Sequence, residues 1–270
     1  MKNNYKILVL SDLKDTTDNI LKSTVSLAKI IKADIEFFYV KKPTDVVDTE
    51  SQLSAMRVIN QEHIDIDKQI AAILNPINKD YGLNIKSNFT LGNVKNEIEK
   101  RIKSSKPDII VLGKRKPNAI KFVGDNITDY VLKQHQGTIL IAGNKNVLEP
   151  GYDLSLGVFN SEKESFNMAF SKDLVSHTKQ PLKAFRIIEN KTVSESNNTL
   201  KDNDTVEFVF EKNDNIIKNL SNYLLKNNVN LFCLNRGVHS VKKASKALKP
   251  EVKEVINKLN ISMLLTNEEI

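Results

Sequence analysis

The sequence predicts an α/β protein with mostly parallel sheets, laid out twice along the chain. Three observations carry that expectation. Short runs rich in Ile, Val, Leu and Phe alternate with helix-like segments, the order of parallel strands joined by crossover helices. The 270 residues are enough for two domains with a core each. The order of elements then starts again, more weakly, near Asp153.

In the first half, strands are expected at Tyr5 to Ser11, Ile35 to Val40, Leu83 to Leu91, Asp108 to Gly113 and Thr138 to Gly143. Helices are expected between them at about Asp15 to Lys32, Asp48 to Asp80, Val94 to Ser104 and Asn126 to Gln134. Thr16, Thr17 and Asp18 stand where the first helix needs a cap, and Gly82 where the second should stop. Met56, Ile59, His63, Ile66, Ile70, Ile73 and Ile77 form one apolar seam along the second helix. A coiled coil would use such a seam, but for a single stretch a helix lying on a sheet is the simpler reading. His63 within it is expected to pack rather than bind metal.

The second half echoes this order. "LSLGVFNS" (Leu154 to Ser161) stands for the first strand, a helix-like stretch from Glu162 to Thr178 follows, then "LKAFRII" and "VEFVFEK". "NLFCLNRG" from Asn230 matches "DIIVLGKR" from Asp108, and "PEVKEVINKLNISMLLTN" matches "NITDYVLKQHQGTILIAG". Tyr5 to Asp108 spans 103 positions and Leu154 to Asn230 only 76, so the second copy is shorter by about one long helix. In its place stands "ENKTVSESNNTLKDNDT", a polar stretch over 189–205 with no apolar period, which reads as an exposed loop. The expected domains are 1–146 and a shorter, degenerate 151–270, with the break at Pro150 and Gly151.

Composition narrows the function classes. No apolar run reaches the roughly 18 residues of a membrane span, and the N-terminus lacks a long apolar region and cleavage site, so a cytoplasmic protein without a membrane segment is expected. The single cysteine, Cys233 in "LFCLN", excludes an intramolecular disulfide and reads as a buried, inert thiol. Of the +7 net charge, most lies in residues 1–145, with 23 basic and 17 acidic side chains against 17 and 16 in the remainder. Four of those cations, Lys114, Arg115, Lys116 and Lys121, fall in one stretch. So local an excess fits an anion site better than a nucleic-acid-binding face, and a nucleic-acid partner is not expected.

That stretch, "VLGKRKPNAIKFVGDNITDYVL" (Val111 to Leu132), runs from a strand through two glycines and four basic residues into a helix, the layout of a phosphate-binding loop. With it go "SDL" after the first strand, carrying Asp12, "YV" closing the second at Val40, and "TLGNVKNEIEKRI" opening the third helix. On these residues the chain resembles the universal stress protein family in its tandem form, over nearly its full length. The resemblance implies two doubly wound parallel five-stranded sheets, each of strand order 3-2-1-4-5, forming a tandem pseudo-dimer. Family domains commonly pair through the fifth strand, which here would set "TILIAG" against "ISMLL" and bury both edges.

ATP-binding members of the family carry Gly-x2-Gly-x9-Gly-Ser/Thr after the fourth strand. In a doubly wound sheet the crevice opens at the carboxyl ends of the strands where the connections change direction, between the first and fourth. Candidate nucleotide residues are Asp12, Val40, Gly113, Lys114, Lys116, Gly124, Asp125 and Asn126. The chain departs from the motif: Lys116 stands where the second glycine belongs, Gly124 arrives two residues early, and Asp125 replaces the Ser or Thr. A carboxylate repels a triphosphate unless a metal such as Mg²⁺ bridges them. ATP or a related adenine nucleotide, with or without Mg²⁺, and no cofactor at all therefore both stand as readings. The second half has Gly237 without a partner glycine, so no phosphate cradle is expected there, and His239, Lys242, Lys243 and Lys246 read as a solvated face.

No nucleophile elbow, Walker sequence or zinc motif appears, and the four histidines are scattered. The expectation is a stress-response binding or regulatory protein rather than an enzyme, with the second half as a built-in dimer partner. The alternatives are a nucleotide-free module that presents the basic loop and the polar stretch to an unknown protein partner, and an ATP-cleaving enzyme on a related sheet.

Overall fold

The computed structural model describes residues 4–43, 52–114, 127–159, 169–178, 181–188, 205–213, 215–236 and 250–267. The first half runs β1 (Tyr5–Ser11), α1 (Thr17–Ile31), β2 (Ala33–Lys41), α2 (Gln52–Tyr81), β3 (Lys86–Leu91), α3 (Val94–Ser105), β4 (Ile109–Gly113), α4 (Ile127–Gln134) and β5 (Thr138–Ala142). The second runs β6 (Leu156–Phe159), α5 (Ser171–Ser176), β7 (Leu182–Ile188), β8 (Thr205–Glu211), α6 (Ile216–Lys226), β9 (Leu231–Asn235), α7 (Pro250–Lys258) and β10 (Ser262–Thr266). The polar stretch over 189–204 and most of the basic loops, 115–126 and 237–249, lie outside the described residues.

Each half has the strand order 3-2-1-4-5, and the two join into one ten-stranded sheet, β3-β2-β1-β4-β5-β10-β9-β6-β7-β8. All pairs are parallel except the central one, where β5 and β10 run antiparallel with Leu140 opposite Leu264. The edges that would otherwise be open are thus spent on each other. Because the strands near the centre of the sheet are covered on both faces, they read as continuous apolar runs, β4 and β9 above all. One face is covered by α1, α2 and α5 through Leu21, Ile70 and Leu174. The other is covered by α3, α4, α6 and α7 through Ile98, Val131, Leu220 and Val255.

Helix α2 stops at Gly82 and α3 starts at Val94 as expected, whereas of the stretch expected helical from Glu162 to Thr178 only Ser171–Ser176 is helix among the described residues. Gly82 takes φ +64° after α2, a conformation that costs a glycine little. Asn93 caps α3 by accepting from the Asn96 N–H at 3.2 Å. At α1 the expected threonine cap is absent: Thr16 has helical angles and makes no side-chain cap bond. Instead the Thr17 N–H donates to the Lys14 carbonyl at 2.9 Å. β3 starts three residues later than expected because Asn78 holds the link, its backbone oxygen accepting from the Leu83 N–H and its side chain from the Ile85 N–H.

The seam of α2 buries only its C-terminal part. Ile66, Ile70 and Leu74 are in the core, whereas Met56 is 62% exposed. Length explains this: thirty residues of helix run about 45 Å, and the nine residues of β2 only about 30 Å. His63 is exposed and lies against the Phe89 ring at 4.8 Å between centroids, a packing residue as expected.

The second half differs where the long helix has no counterpart among the described residues. In the first half α2 lies over Phe37, Tyr39 and Phe89. The equivalent places in β7 and β8 hold Ala184, Arg186 and Val209. Arg186 pairs with Glu207 at 3.0 Å and Val209 is 49% exposed. Bulky aromatics have given way to the buried Ala184, a partly exposed ion pair and a half-exposed valine. Among the described residues no helix is long and apolar enough to cross a membrane.

Candidate functional site

A cleft of about 310 Å³ opens at the carboxyl ends of β1, β2 and β4. Its position is dictated by topology, since the connections on either side of β1 leave in opposite directions. Leu10, Phe38 and Leu112 form its apolar floor, and Val94 and Ile98 of α3 one wall. Asp12 stands at the end of β1, Val40 at the end of β2, Gly113 at the end of β4, and Ile127 and Thr128 open α4 on the far side.

The turn from β1 into α1 is fastened by its own side chains. The Ser11 hydroxyl accepts from the Leu13 N–H at 3.1 Å and lies 3.0 Å from the Thr17 hydroxyl, while an Asp12 carboxylate oxygen accepts from the Lys14 N–H at 3.3 Å. Leu13 takes φ +55° to close the turn, a left-handed conformation uncommon for a residue of its kind. Asp12 is therefore held in its turn at the cleft.

Of the eight expected nucleotide residues, the structure brings three together in the cleft: Asp12, Val40 and Gly113. Gly113 has a packing reason of its own. A Cβ there would lie 2.6 Å from Ile20 Cδ1 and 3.0 Å from Thr16 Oγ1, because α1 crosses the end of β4 at close range. Lys116, Gly124, Asp125 and Asn126 lie outside the described residues.

Lys114 is placed elsewhere. Its ammonium donates to the backbone carbonyls of Ile256 and Asn257, at the end of α7 in the other half, the second at 2.9 Å. Its own N–H donates to Ala142 O at 2.8 Å, and its carbonyl accepts from the Asn144 side chain at 3.3 Å. Burial pushes the Lys114 ammonium down to about 8. The charge expected at a phosphate is directed onto a helix terminus instead.

Two cations that the sequence reading missed do line the cleft, Lys14 and Lys42. The available signal was positional: each stands two residues past a residue expected in the site, Asp12 and Val40, on a loop leaving a strand beside the crevice. In the second half Asn235 holds the place of Gly113, pairing with Thr266 as Gly113 pairs with Ala142. Cys233 is buried in β9, which pushes its thiol well above the usual range, and it cannot act as a nucleophile. Among the described residues no group of three or more His, Cys, Asp or Glu could hold a metal ion.

The model of the universal stress protein family matches residues 4–142, just over half of the chain. No curated protein matches. The fold is similar to a universal stress protein from Archaeoglobus fulgidus, with a TM-score of 0.72 at 14% identity over 98% of each chain. It is also similar to a putative universal stress protein from Pseudomonas aeruginosa, with a TM-score of 0.60 at 13% identity over 98% of this chain and 94% of that one. A family protein from Arabidopsis thaliana solved with AMP bound aligns over 51% of this chain and 90% of its own, at 14% identity and a TM-score of 0.35. At these identities the likenesses to the first two are of fold.

Proposed function

From the premise that this chain belongs to the universal stress protein family, we propose that it is a stress-response binding protein whose first half takes an adenine nucleotide in the cleft. The observation that carries this reading is the meeting of Asp12, Val40 and Gly113 around one apolar-floored cleft at the strand ends. The floor of Leu10, Phe38 and Leu112 suits the faces of a base, and Asp12 accepts hydrogen bonds from a ribose hydroxyl or an exocyclic amine. Thr128 and the N–H groups at the start of α4 face a phosphate, with Lys14 and Lys42 supplying positive charge. The role in this reading is binding, the chain acting through what its bound and empty forms present to a protein partner.

One observation favours the nucleotide-free reading. Gly113 is explained by α1 packing and Lys114 by its contact with α7, so neither residue needs a nucleotide to account for it. Thermal unfolding with added nucleotide separates the two. A nucleotide at 100 times its dissociation constant stabilises the folded chain by about 2.7 kcal/mol. AMP or ATP should raise the melting temperature of the unaltered protein and not that of an Asp12→Ala variant. An unchanged melting temperature at millimolar nucleotide, with and without Mg²⁺, overturns the nucleotide reading and leaves the interaction module.

A further inference from the structure

Arg236 belongs to the second half by sequence and to the first by contact. It follows β9 and is 1% exposed. One guanidinium nitrogen donates to the carbonyls of Leu132 at 3.2 Å and His135 at 3.0 Å, the other to those of Gln136 at 3.1 Å and Gly137. These four carbonyls close α4 and lead into β5. The last carbonyls of a helix lack partners within it and carry the negative end of its dipole. A planar cation with several donors satisfies them together, as a lysine cannot.

The opposite end of the same helix lines the cleft, through Ile127 and Thr128. Eight residues of helix span about 12 Å and hold too few internal hydrogen bonds to be stable by themselves. The place of α4 is therefore set by what grips it. Lys114, where the connection from β4 to α4 begins, is held by the end of α7, and Arg236 holds the end of α4. Both of these fixings come from the second half and add to what the first half supplies, the Tyr130 hydroxyl donating to Glu99 of α3 at 3.0 Å and Val131 buried on the sheet, and none of the carbonyls that Arg236 binds belongs to a residue lining the cleft.

We propose that Arg236 is a positioning residue for the cleft: by gripping the end of α4 it aims the first turn of that helix at the phosphate of a bound nucleotide. The second half is then a working part of the first half's site. This rests on the nucleotide reading above.

The test measures AMP and adenosine binding by calorimetry in the full-length unaltered protein, Arg236→Met and Arg236→Lys, below the melting temperature of each. Arg236→Met is expected to bind AMP about tenfold more weakly, within the range of coupling between distant sites, while adenosine, which has no phosphate, binds as before. Arg236→Lys should fall between. Equal losses for both ligands point to a general loosening and overturn the proposal, as does no loss for either. Hydrogen exchange, read without ligand, tests the grip separately: amides of α4 should exchange faster in Arg236→Met while those of α3 do not, and unchanged α4 exchange overturns the anchoring. If the unaltered protein binds neither ligand, the nucleotide reading fails and the aiming of α4 at a phosphate fails with it, while the exchange result still decides whether Arg236 anchors the helix.

Discussion

Lys114 and Arg236 hold equivalent places in the two halves, and each spends its charge on the other half. Each is the first residue after the fourth strand of its half, and each donates its N–H to the last residue of the neighbouring strand, Ala142 or Thr266, at 2.8 Å in both cases. The Lys114 side chain reaches the end of α7 and that of Arg236 the end of α4. Two reciprocal cations thus flank the antiparallel seam between β5 and β10.

The two are unequal in burial, and so should be their removal. Arg236→Ala strips four carbonyls of their donor inside the protein and is expected to cost about 3 kcal/mol. Lys114→Ala, at a half-buried position, should cost about 1 kcal/mol. Urea unfolding of the two variants measures both, and a Lys114 variant that is the less stable of the pair would contradict this ordering.

His135 makes stability fall in weak acid. It is buried beside Arg236, and burial first, with that cation adding to it, brings its imidazole down to about 4. An unfolded histidine binds a proton near 6.5, so above that pH the group contributes nothing to the pH dependence. As pH falls from about 6.5 towards 4 the unfolded chain is protonated and the folded chain is not, and stability drops by about 1.4 kcal/mol per unit. The protein should be about 2 kcal/mol less stable at pH 5 than at pH 7 through this group, and His135→Gln should lose that part of the slope in denaturant titrations at the two pH values.

Gly113→Ala tests whether the glycine serves packing. The new methyl would press on Ile20, and the expected loss is about 1–3 kcal/mol. Adding Ile20→Val removes the atom nearest the clash, so the double variant should recover part of the loss in a double-mutant cycle. Simple additivity would show that Ile20 is not what excludes the side chain.

Gly143→Ala should be worse. Its Cβ would lie 2.3 Å from the backbone carbonyl carbon of Ile261, just before β10, and backbone cannot swing aside as the tip of a side chain does. A loss of at least about 3 kcal/mol is expected, larger than at Gly113, since the strain falls on the seam itself. Thermal unfolding of the two glycine variants compares them directly.

Much of the fold was legible because its signals are local. The apolar runs of β1, β4 and β9, the stop at Gly82 and the start of α3 at Val94 each depend on a few neighbouring residues. The pairing of "TILIAG" with "ISMLL" followed from family resemblance, with the open edge as its physical reason. The site was legible only in part. Asp12, Val40 and Gly113, named on the family resemblance, line one cleft because strand ends beside a change of direction are placed by topology. The sequence alone points Lys114 to a phosphate because charge in sequence says nothing of where a flexible side chain turns. Lys14 and Lys42 were passed over for the same reason.

By itself the sequence determined the α/β class, the recurring order of strands and the places where most strands end, since periodicity and turn chemistry act over a handful of residues. Only the tertiary structure decided which charges face the cleft and which bind the two halves together. Lys114 meets Ile256 at 142 residues' separation and Arg236 meets Leu132 at 104. Contacts at that range depend on how helix ends and strands pack in space, which no local pattern encodes.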